Sequence, residues 1–391
     1  MKNIFTYFTN NKDFTLLAFD AISYFEGDDT AALDAYLNQN EKEYRVGFMS
    51  YPSRNSQANP SEKIDFPTIG FFVPRYVVEI DEKGTLTYLK GNKDSYSSRK
   101  IEDFLNHSKK ENNNKIRLQS QLSKSEYLSR IHALQTAMKN EDVCVAVFCQ
   151  TFYAAQHKIN PKTTYFHLNK RSKSPFSCFL QWDEKYVLSA SPERFIKKEG
   201  NKLITQPIKG TARRGTTKSE DNRFKEELIS SQKEREENTL VVQGIKDELA
   251  QIAYRNSIDV ESFFQVHTFE TVHQLISTIS AELPSDITFG TLLNAVFPMG
   301  SMVGFPKVKA LELLNKYENF DRGLYSGTIG YIKPNGDFDF NVVIRSILYD
   351  NERENIMCPV GGGITLQSSP EDEYNECLIK LKVLQDTLNN V

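Results

Sequence analysis

A lysine directly before a glycine is the first candidate for chemistry in this sequence. Lys209 stands in the segment "PIKGTARRG" (207–215), next to Gly210 and close to Arg213 and Arg214. Neighbouring cations and partial burial lower the pKa of a lysine and make its amine nucleophilic. A glycine beside it lets the backbone approach a ligand closely. The segment therefore predicts a nucleophilic lysine at a ligand site, and a solvent-exposed turn lysine is the alternative.

Two glycine-containing segments could bind an anion. In "FPMGSMVGFPK" (297–307), a Gly-Ser loop runs into a helix, whose N-terminus favours negative charge. The sequence lacks the Gly-Lys-Ser/Thr of a nucleotide-binding phosphate loop, and a tight connecting turn is the alternative. In the second segment, Gly361, Gly362 and Gly363 follow a strand and could aim backbone N–H groups at a carboxylate.

Acidic residues near the C-terminus could hold a cation. Glu373, Glu376 and Lys380 are spaced i, i+3 and i+7, which places them on one face of a helix. Two carboxylates on one face suit a hard cation such as Mg²⁺. A solvated helix face with a Glu376–Lys380 ion pair is the alternative. Glu237 begins another amphipathic segment, which is predicted to be an acidic helix. Acidic helices are usually solvated, so this segment alone does not indicate a functional site.

The elements that must position these residues are grouped by type along the chain. The last helix begins with Ser369 as N-cap and Pro370 at its first position. Asn335-Gly336 predicts a type I′ hairpin turn. Because strands and helices do not alternate, we expect an α+β fold with large, mainly antiparallel sheets flanked by helices. Helices are predicted over 123–139, 218–254 and from 370, and strands over 15–19, 45–51, 68–80, 175–182, 186–190, 202–208, 325–333 and 338–348.

Composition narrows the class of protein. The 391 residues are 39% hydrophobic with a net charge of −3, which is typical of a globular protein without a basic footprint for nucleic acid. No apolar run is long enough for a membrane helix, and the first residues do not resemble a secretory signal, so we expect a cytoplasmic protein. The five cysteines form no Cys-x-x-Cys motif, which favours free thiols.

A polar run divides the chain. The segment "NHSKKENNN" (106–114) is typical of a linker or an exposed loop. We therefore predict an N-terminal mixed α/β region over 1–115, packed on a catalytic region over 116–391. The two regions are expected to pack intimately, as one structural unit or two.

Six segments, taken together and in this order, resemble the chorismate-utilising enzymes. They are "SPERF", "PIKGT", "KEREEN", "VHQLIST", "FPMGSMVGFPK" and the C-terminal run from "YSGTIGYI" through "VVIRS" and "GGGIT" to "EYNECLIK". The resemblance covers about residues 120–391, and the first part of the chain is similar only in general character. Members of this family make anthranilate, aminodeoxychorismate or isochorismate. Their fold is α+β, with the active site between large antiparallel sheets and helices.

The resemblance also implies site residues. The family binds Mg²⁺ at the ring carboxylate of chorismate through one Glu from each of two helices. The matching positions are Glu237 and Glu376, with Glu373 as a supporting carboxylate. The positions that match the family's carboxylate-binding groups are Tyr331, Arg345, Gly361, Gly362, Gly363 and Lys380, and those that match pocket-lining residues are Thr211, His273 and Ser301.

Lys209 decides which member of the family the chain resembles. The "PIKGT" motif resembles aminodeoxychorismate synthases, whereas the anthranilate and isochorismate synthases carry Ala at this position. In the former, the lysine attacks C2 as the 4-hydroxyl leaves, ammonia adds at C4, and the lysine is expelled. Glu193 matches the acid that helps the hydroxyl depart, and Val145 stands where isochorismate synthases have a basic lysine. The resemblance thus implies that chorismate and ammonia give 4-amino-4-deoxychorismate, for para-aminobenzoate and folate synthesis, with a glutaminase subunit as the source of ammonia.

Several departures from the family pattern keep alternatives open. Gln243 replaces an acid, Val303 and Phe305 replace Thr and Ala, and Ala146-Val147 replaces an expected Val-Asn. These changes are expected to thin the polar shell around the metal and the pocket. The alternatives are attack at C2, giving anthranilate or isochorismate, and a chorismate-binding paralogue that has lost turnover.

Overall fold

The computed structural model describes residues 2–11, 14–52, 64–106, 115–270, 272–318 and 320–389. The predicted linker lies outside the described residues, apart from Asn106 at the C-terminal end of a helix. The helices are α1 (Thr30–Gln39), α2 (Ser95–Leu105), α3 (Lys124–Glu141), α4 (Pro161–Ser172), α5 (Lys218–Ser230), α6 (Gln232–Leu249), α7 (Phe289–Val296), α8 (Gly300–Val303), α9 (Lys307–Tyr317) and α10 (Pro370–Leu388).

The strands are β1 (Ile4–Thr9), β2 (Thr15–Gly27), β3 (Arg45–Met49), β4 (Ile69–Ile80), β5 (Leu86–Lys90), β6 (Gln119–Ser120), β7 (Val145–Ala154), β8 (Phe176–Trp182), β9 (Lys185–Ser191), β10 (Arg194–Glu199), β11 (Lys202–Gln206), β12 (Ile208–Arg213), β13 (Asp259–Thr268), β14 (Val272–Glu282), β15 (Gly304–Phe305), β16 (Thr328–Ile332), β17 (Phe338–Val342), β18 (Ser346–Asp350) and β19 (Asn355–Ile364). Every pairing between them is antiparallel, which confirms the predicted α+β class with antiparallel sheet.

The strands form one continuous hydrogen-bonded network. One arm runs in the order β7, β19, β18, β9, β8, β1, β2 and β4. The other arm continues from β4 through β3, β16, β17, β10, β11 and β14 to β12 and β13. Strands before residue 116 therefore pair with strands after it, at β1–β8 and β3–β16. The division into regions at residue 115 stays a prediction.

Two buried cores hold the network in shape. The inner core includes Phe48, Phe72 and Trp182, and the Trp182 ring meets the Phe48 ring edge-on at 5.0 Å. The outer core lies under α3, α4, α9 and α10 and includes Tyr127 and Phe148, which also meet edge-on. Burial of large rings contributes strongly to stability. Because one core packs on each face of the β7–β19 ladder, the ladder is held in place from both sides.

The structure corrects three local predictions. The helix predicted over 218–254 is interrupted at Ser231, which ends α5, accepts a hydrogen bond from the Glu234 N–H as N-cap of α6, and leaves α6 to end at Leu249. The strand predicted over 338–348 breaks before Arg345, whose φ is +50°. The hairpin at Gly336 is a three-residue loop with φ of +84° at Gly336, rather than a type I′ turn, which needs positive φ at two positions.

The predicted start of α10 is confirmed. The Ser369 hydroxyl accepts a hydrogen bond from the Asp372 N–H, and Pro370 occupies the first turn. Cys377, Leu381 and Leu388 face the core as the helical spacing predicts. This orientation directs the acidic face of the helix toward the end of β19.

Candidate active site

Lys209 projects from an irregular point in β12. The register between β12 and β14 shifts between Ile208 and Thr211, and Gly210 has a φ of +91°. A Cβ at Gly210 would also lie 3.2 Å from Glu234 Oε2 and 3.0 Å from Leu228 Cδ1. A bulge of this kind turns a side chain away from the regular ladder direction. The half-buried Lys209 thereby faces a cleft between β12, β19 and α8.

The cleft has two connected compartments. The inner compartment includes Glu193, Ser301 and the three glycines of β19 in its walls. The outer compartment opens between α6 and α10. The residues that line both compartments are Lys209, Thr211, Arg345, Gly363 and Lys380. Three cations at the junction suit an anionic ligand with more than one carboxylate, because each can donate charge-assisted hydrogen bonds.

Glu193 and Lys209 share the wall of the inner compartment. Glu193 lies between β9 and β10 and is only 5% exposed. Burial raises the pKa of Glu193 to about 7, although a hydrogen bond with Ser301 and the charge of Lys209 both act to lower it. Lys209 Nζ donates to the Ser301 carbonyl oxygen at 3.4 Å. A carboxyl group with a pKa near 7 can both release and accept a proton at neutral pH.

Four carboxylates from two helices line the outer compartment. They are Glu234 and Glu237 on α6, and Glu373 and Glu376 on α10. Burial raises the pKa of Glu237 to about 7, with Lys209 opposing the shift. Burial alone would raise the pKa of Glu376. Lys380 Nζ lies 2.7 Å from Glu376 Oε1, and the charges of this and other nearby lysines, with the hydrogen bond from Lys380, outweigh the effect of burial and lower the pKa of that carboxyl.

These carboxylates fit a bound divalent cation. Glu237 Oε1 is buried and has no hydrogen-bond partner among the described residues, and Glu373 is 3% exposed. Lys233 Nζ lies 3.4 Å from Glu373 Oε1 and 3.9 Å from Glu237 Oε1, so positive charge is already favoured there. Within the described residues, no three His, Cys, Asp or Glu side chains are gathered closely enough to form a ready-made metal site. The fit therefore rests on an all-oxygen donor set and an unpaired buried oxygen.

Gly362 and Gly363 of β19 lie beside both carboxylates and lysines of the cleft. A Cβ at Gly362 would lie 3.0 Å from Glu373 Oε2. A Cβ at Gly363 would lie 3.4 Å from Glu237 Oε2 and 3.8 Å from Lys209 Nζ. A side chain at Gly362 would therefore crowd Glu373, and one at Gly363 would lie against Glu237 and Lys209. The role of the glycine N–H groups in carboxylate binding stays a prediction.

Arg345 is free to bind a ligand. Its positive φ turns the chain between β17 and β18, and its side chain lines both compartments. Its guanidinium makes no hydrogen bond or ion pair with any residue that the structure describes. Burial lowers the pKa of Arg345, with Glu376 opposing the shift, and an arginine stays charged under such conditions. A partly buried cation without a partner is suited to a carboxylate ligand.

The structure does not bring His273 or Tyr331 to this cleft. His273 is fully buried on the other face of β14, with Nε2 2.8 Å from Asp221 Oδ1. Alternate residues of a strand face opposite sides, and Gln274 lines the inner compartment instead. Tyr331 packs its ring on Phe8 and lines a separate cavity together with Ile329 and Lys333.

Three of the departures from the family pattern also lie outside the cleft. The exposed Gln243 side chain donates to Asp247, Val303 is buried in the outer core, and Phe305 lies beside Gly244. None of these three lines either compartment. The expectation that they thin the polar shell of the pocket is therefore wrong, whereas Val147 does line the inner compartment.

The sequence analysis missed several residues of the cleft. Glu234 could have been found as a second Glu one helical turn before Glu237. Gln274 and Tyr325, which line the inner compartment, stand in the segments "VHQLIST" and "YSGTIGYI", but no spacing in those segments shows which side chains face the ligand. Behind this wall, the fully buried Arg322 donates to the carbonyl oxygens of Val147 at 2.6 Å and Met302 at 2.8 Å.

Comparison with known proteins identifies the family. The family model for chorismate binding enzymes matches residues 5–386. The chain belongs to this family. Aminodeoxychorismate synthase component 1 of Escherichia coli is 34% identical over 263 residues, which are 67% of this chain and 57% of that protein. The chloroplastic aminodeoxychorismate synthase of Arabidopsis thaliana is 38% identical over 57% of this chain and 24% of that protein.

Solved structures of the family have the same fold. Anthranilate synthase component I from Streptococcus pneumoniae superposes with a TM-score of 0.81 at 21% identity, covering 95% of this chain and 92% of that chain. The menaquinone-specific isochorismate synthase of Escherichia coli has a TM-score of 0.80 at 19% identity, covering 100% and 89%. The resemblance and the fold predicted from the motifs are thus confirmed. None of the described helices combines the length and hydropathy needed to cross a bilayer.

The aligned part is smaller than the proteins to which it is compared. The chain matches 24% to 59% of the lengths of the aminodeoxychorismate synthases of Arabidopsis thaliana, Escherichia coli and Salmonella typhimurium. Family membership therefore describes this chain, while its activity, substrate and partners are the subject of the proposal below.

Proposed function

We propose that this protein converts chorismate and ammonia into 4-amino-4-deoxychorismate and water. The observation that carries the proposal is the position of Lys209, between the acid Glu193 on one side and the carboxylate cluster on the other. Relatives of similar sequence are named aminodeoxychorismate synthases. The proposed product is a precursor of para-aminobenzoate and folate.

Substrate binding follows from the charges of the cleft. Chorismate carries a ring carboxylate and an enolpyruvyl carboxylate, and Arg345, Lys380 and the glycine N–H groups of β19 would bind them. Thr211 and Ser301 line the inner compartment beside Lys209. The buried walls exclude water, which strengthens each of these electrostatic contacts.

The chemical steps use Lys209 and Glu193. The neutral Lys209 amine forms a bond to C2, the ring double bond shifts, and the C4–O bond breaks. Glu193 donates its proton to the departing hydroxyl, which leaves as water. Ammonia then forms a bond to C4, the double bond shifts back, and the C2–N bond to Lys209 breaks. The new ammonium group at C4 then gives a proton back to Glu193, so the site returns to its starting state and atoms and charge balance.

Glu237 and Glu376, with Glu373 and the newly found Glu234, would hold Mg²⁺. When bound, the cation supplies positive charge that offsets a substrate carboxylate. The buried Glu237 Oε1, which accepts no hydrogen bond from any described residue, supports this part of the proposal. The donor set alone does not distinguish Mg²⁺ from Mn²⁺, because both accept oxygen ligands.

Ammonia would come from a glutaminase subunit. Support comes from relatives that are named component 1, which implies a second component in those proteins. We further propose a cytoplasmic location, because all five cysteines are free thiols, as expected in a reducing compartment.

The position of Val145 argues against attack on C2 by water. A Cβ at Gly363 would lie 3.6 Å from Val145 Cγ1 and 3.8 Å from Lys209 Nζ. Val145 is fully buried, lines neither compartment, and has an apolar side chain that cannot take a proton from water. Such attack would need a general base within hydrogen-bond reach.

Product analysis tests the proposal. The purified chain is incubated with chorismate, Mg²⁺ and either an ammonium salt or glutamine, and the products are separated by chromatography. We expect aminodeoxychorismate with ammonium and none with glutamine. Anthranilate or isochorismate as the main product would favour attack at C2, and binding without turnover would favour a non-catalytic paralogue.

A further inference from the structure

Gln274 has a buried amide oxygen that has no hydrogen-bond partner among the described residues. The residue is 1% exposed, and its Oε1 has no hydrogen bond to any residue of the described ranges. Buried polar atoms are nearly always paired, because leaving one unpaired is unfavourable. This amide therefore needs either a ligand or a water molecule to complete its hydrogen bonds.

The amide lies in the wall of the inner compartment. Gln274 pairs with Thr211 across the β12–β14 ladder, so it is next to the strand that carries Lys209. Gln274, Glu193 and Lys209 all line this compartment. A ligand that reacts with Lys209 would lie within the same walls as the unpaired amide.

The chemistry of the reactants limits what Oε1 can bind. An amide oxygen only accepts hydrogen bonds, so its partner must be a donor. The carboxylates and the ether oxygen of chorismate are acceptors. The remaining donors are the 4-hydroxyl of chorismate and the N–H groups of ammonia, and both belong at C4 in the proposed reaction.

We propose that Gln274 positions the hydrogen-bond donor at C4, either the hydroxyl that leaves or the ammonia that replaces it. The inference rests on the proposed function. It gives the inner compartment a neutral acceptor that complements its cations: Arg345 and Lys380 bind carboxylates, and Gln274 recognises the uncharged group. Gln274 is thus a positioning residue that contacts the reactant.

Two measurements distinguish the two donors. The variant Gln274→Met keeps the length of the side chain and removes the acceptor. If the hydroxyl is the donor, the chorismate dissociation constant rises about tenfold and the KM for ammonium is unchanged. The dissociation constant is measured calorimetrically with Mg²⁺ present, with and without Gln274→Met, in proteins that also carry Lys209→Ala and so form no covalent adduct. If ammonia is the donor, the KM for ammonium at saturating chorismate rises about tenfold and the chorismate dissociation constant is unchanged.

Other variants separate positioning from a structural role. Gln274→His retains an uncharged acceptor and should bring the affected constant back toward that of the wild type. Ser280→Ala changes a buried residue of β14 that lines neither compartment, and both constants should stay at wild-type values. Gln274→Leu serves the same comparison if the methionine variant does not fold.

The inference would be overturned if both constants of the apolar variant stayed within twofold of the wild-type values. The chorismate titration requires no turnover, so it also separates this inference from the proposed function. A wild-type chain that binds chorismate but makes no aminodeoxychorismate would reject the proposed function. In that case an unchanged chorismate dissociation constant in Gln274→Met would reject the role of Gln274 as well.

Discussion

Lys380 Nζ donates a hydrogen bond of 2.7 Å to the carbonyl oxygen of Gly361. This bond ties α10, which carries Glu373 and Glu376, to the glycine-containing end of β19. The same ammonium lies 2.7 Å from Glu376 Oε1. One lysine therefore sets the position of a carboxylate and contributes positive charge to both compartments of the cleft.

Replacing this lysine should weaken substrate binding more than folding. Lys380→Met removes a cation near the proposed substrate carboxylates, so we expect the KM for chorismate to rise about tenfold or more. Lys382→Met, on an exposed position of the same helix, is the control and should leave KM unchanged. Steady-state kinetics with ammonium measure both. Equal KM values for the two variants would contradict the assigned role of Lys380.

Metal binding can be tested without turnover. Glu237→Gln and Glu376→Gln each remove a charged oxygen from the outer compartment, and we expect each to weaken Mg²⁺ binding at least tenfold in calorimetry. Glu371→Gln is the control, because Glu371 is exposed in the first turn of α10 and pairs with Lys124. A Mg²⁺ affinity that is unaffected in both site variants would show that the ligands are wrong.

Protein stability should depend on the pH through Glu193. Burial raises the pKa of this carboxyl from 4.5 to about 7, so the folded chain binds a proton more tightly than the unfolded chain. The free energy of unfolding therefore falls as the pH rises between these two values, by up to about 3 kcal/mol from this group. Glu193→Gln should reduce that slope in denaturant titrations of the metal-free protein. Slopes that are the same in both proteins would contradict the raised pKa.

The sequence predicts the elements of this molecule better than it predicts the contents of the cleft. The start of α10 follows from Ser369 and Pro370, because N-capping depends only on neighbouring residues. His273 and Gln274 could not be told apart, because alternation along a strand does not say which face meets the ligand. Arg345 and Glu237 were found from their motifs. The convergence of α6 and α10 depends on tertiary packing that no local pattern encodes.

The most direct test of the account is a covalent bond to Lys209. Without ammonia, the proposed reaction stops after the lysine has displaced the 4-hydroxyl. Mass spectrometry of the intact wild-type protein with chorismate and Mg²⁺ should show a mass increase of chorismate less one water, and digestion should place it on the peptide containing Lys209. The adduct should disappear when an ammonium salt is added, and Lys209→Ala should neither form it nor make aminodeoxychorismate at more than a small fraction of the wild-type rate. Aminodeoxychorismate formation by Lys209→Ala at the wild-type rate would contradict the account, because ammonia would then be adding at C4 without the lysine.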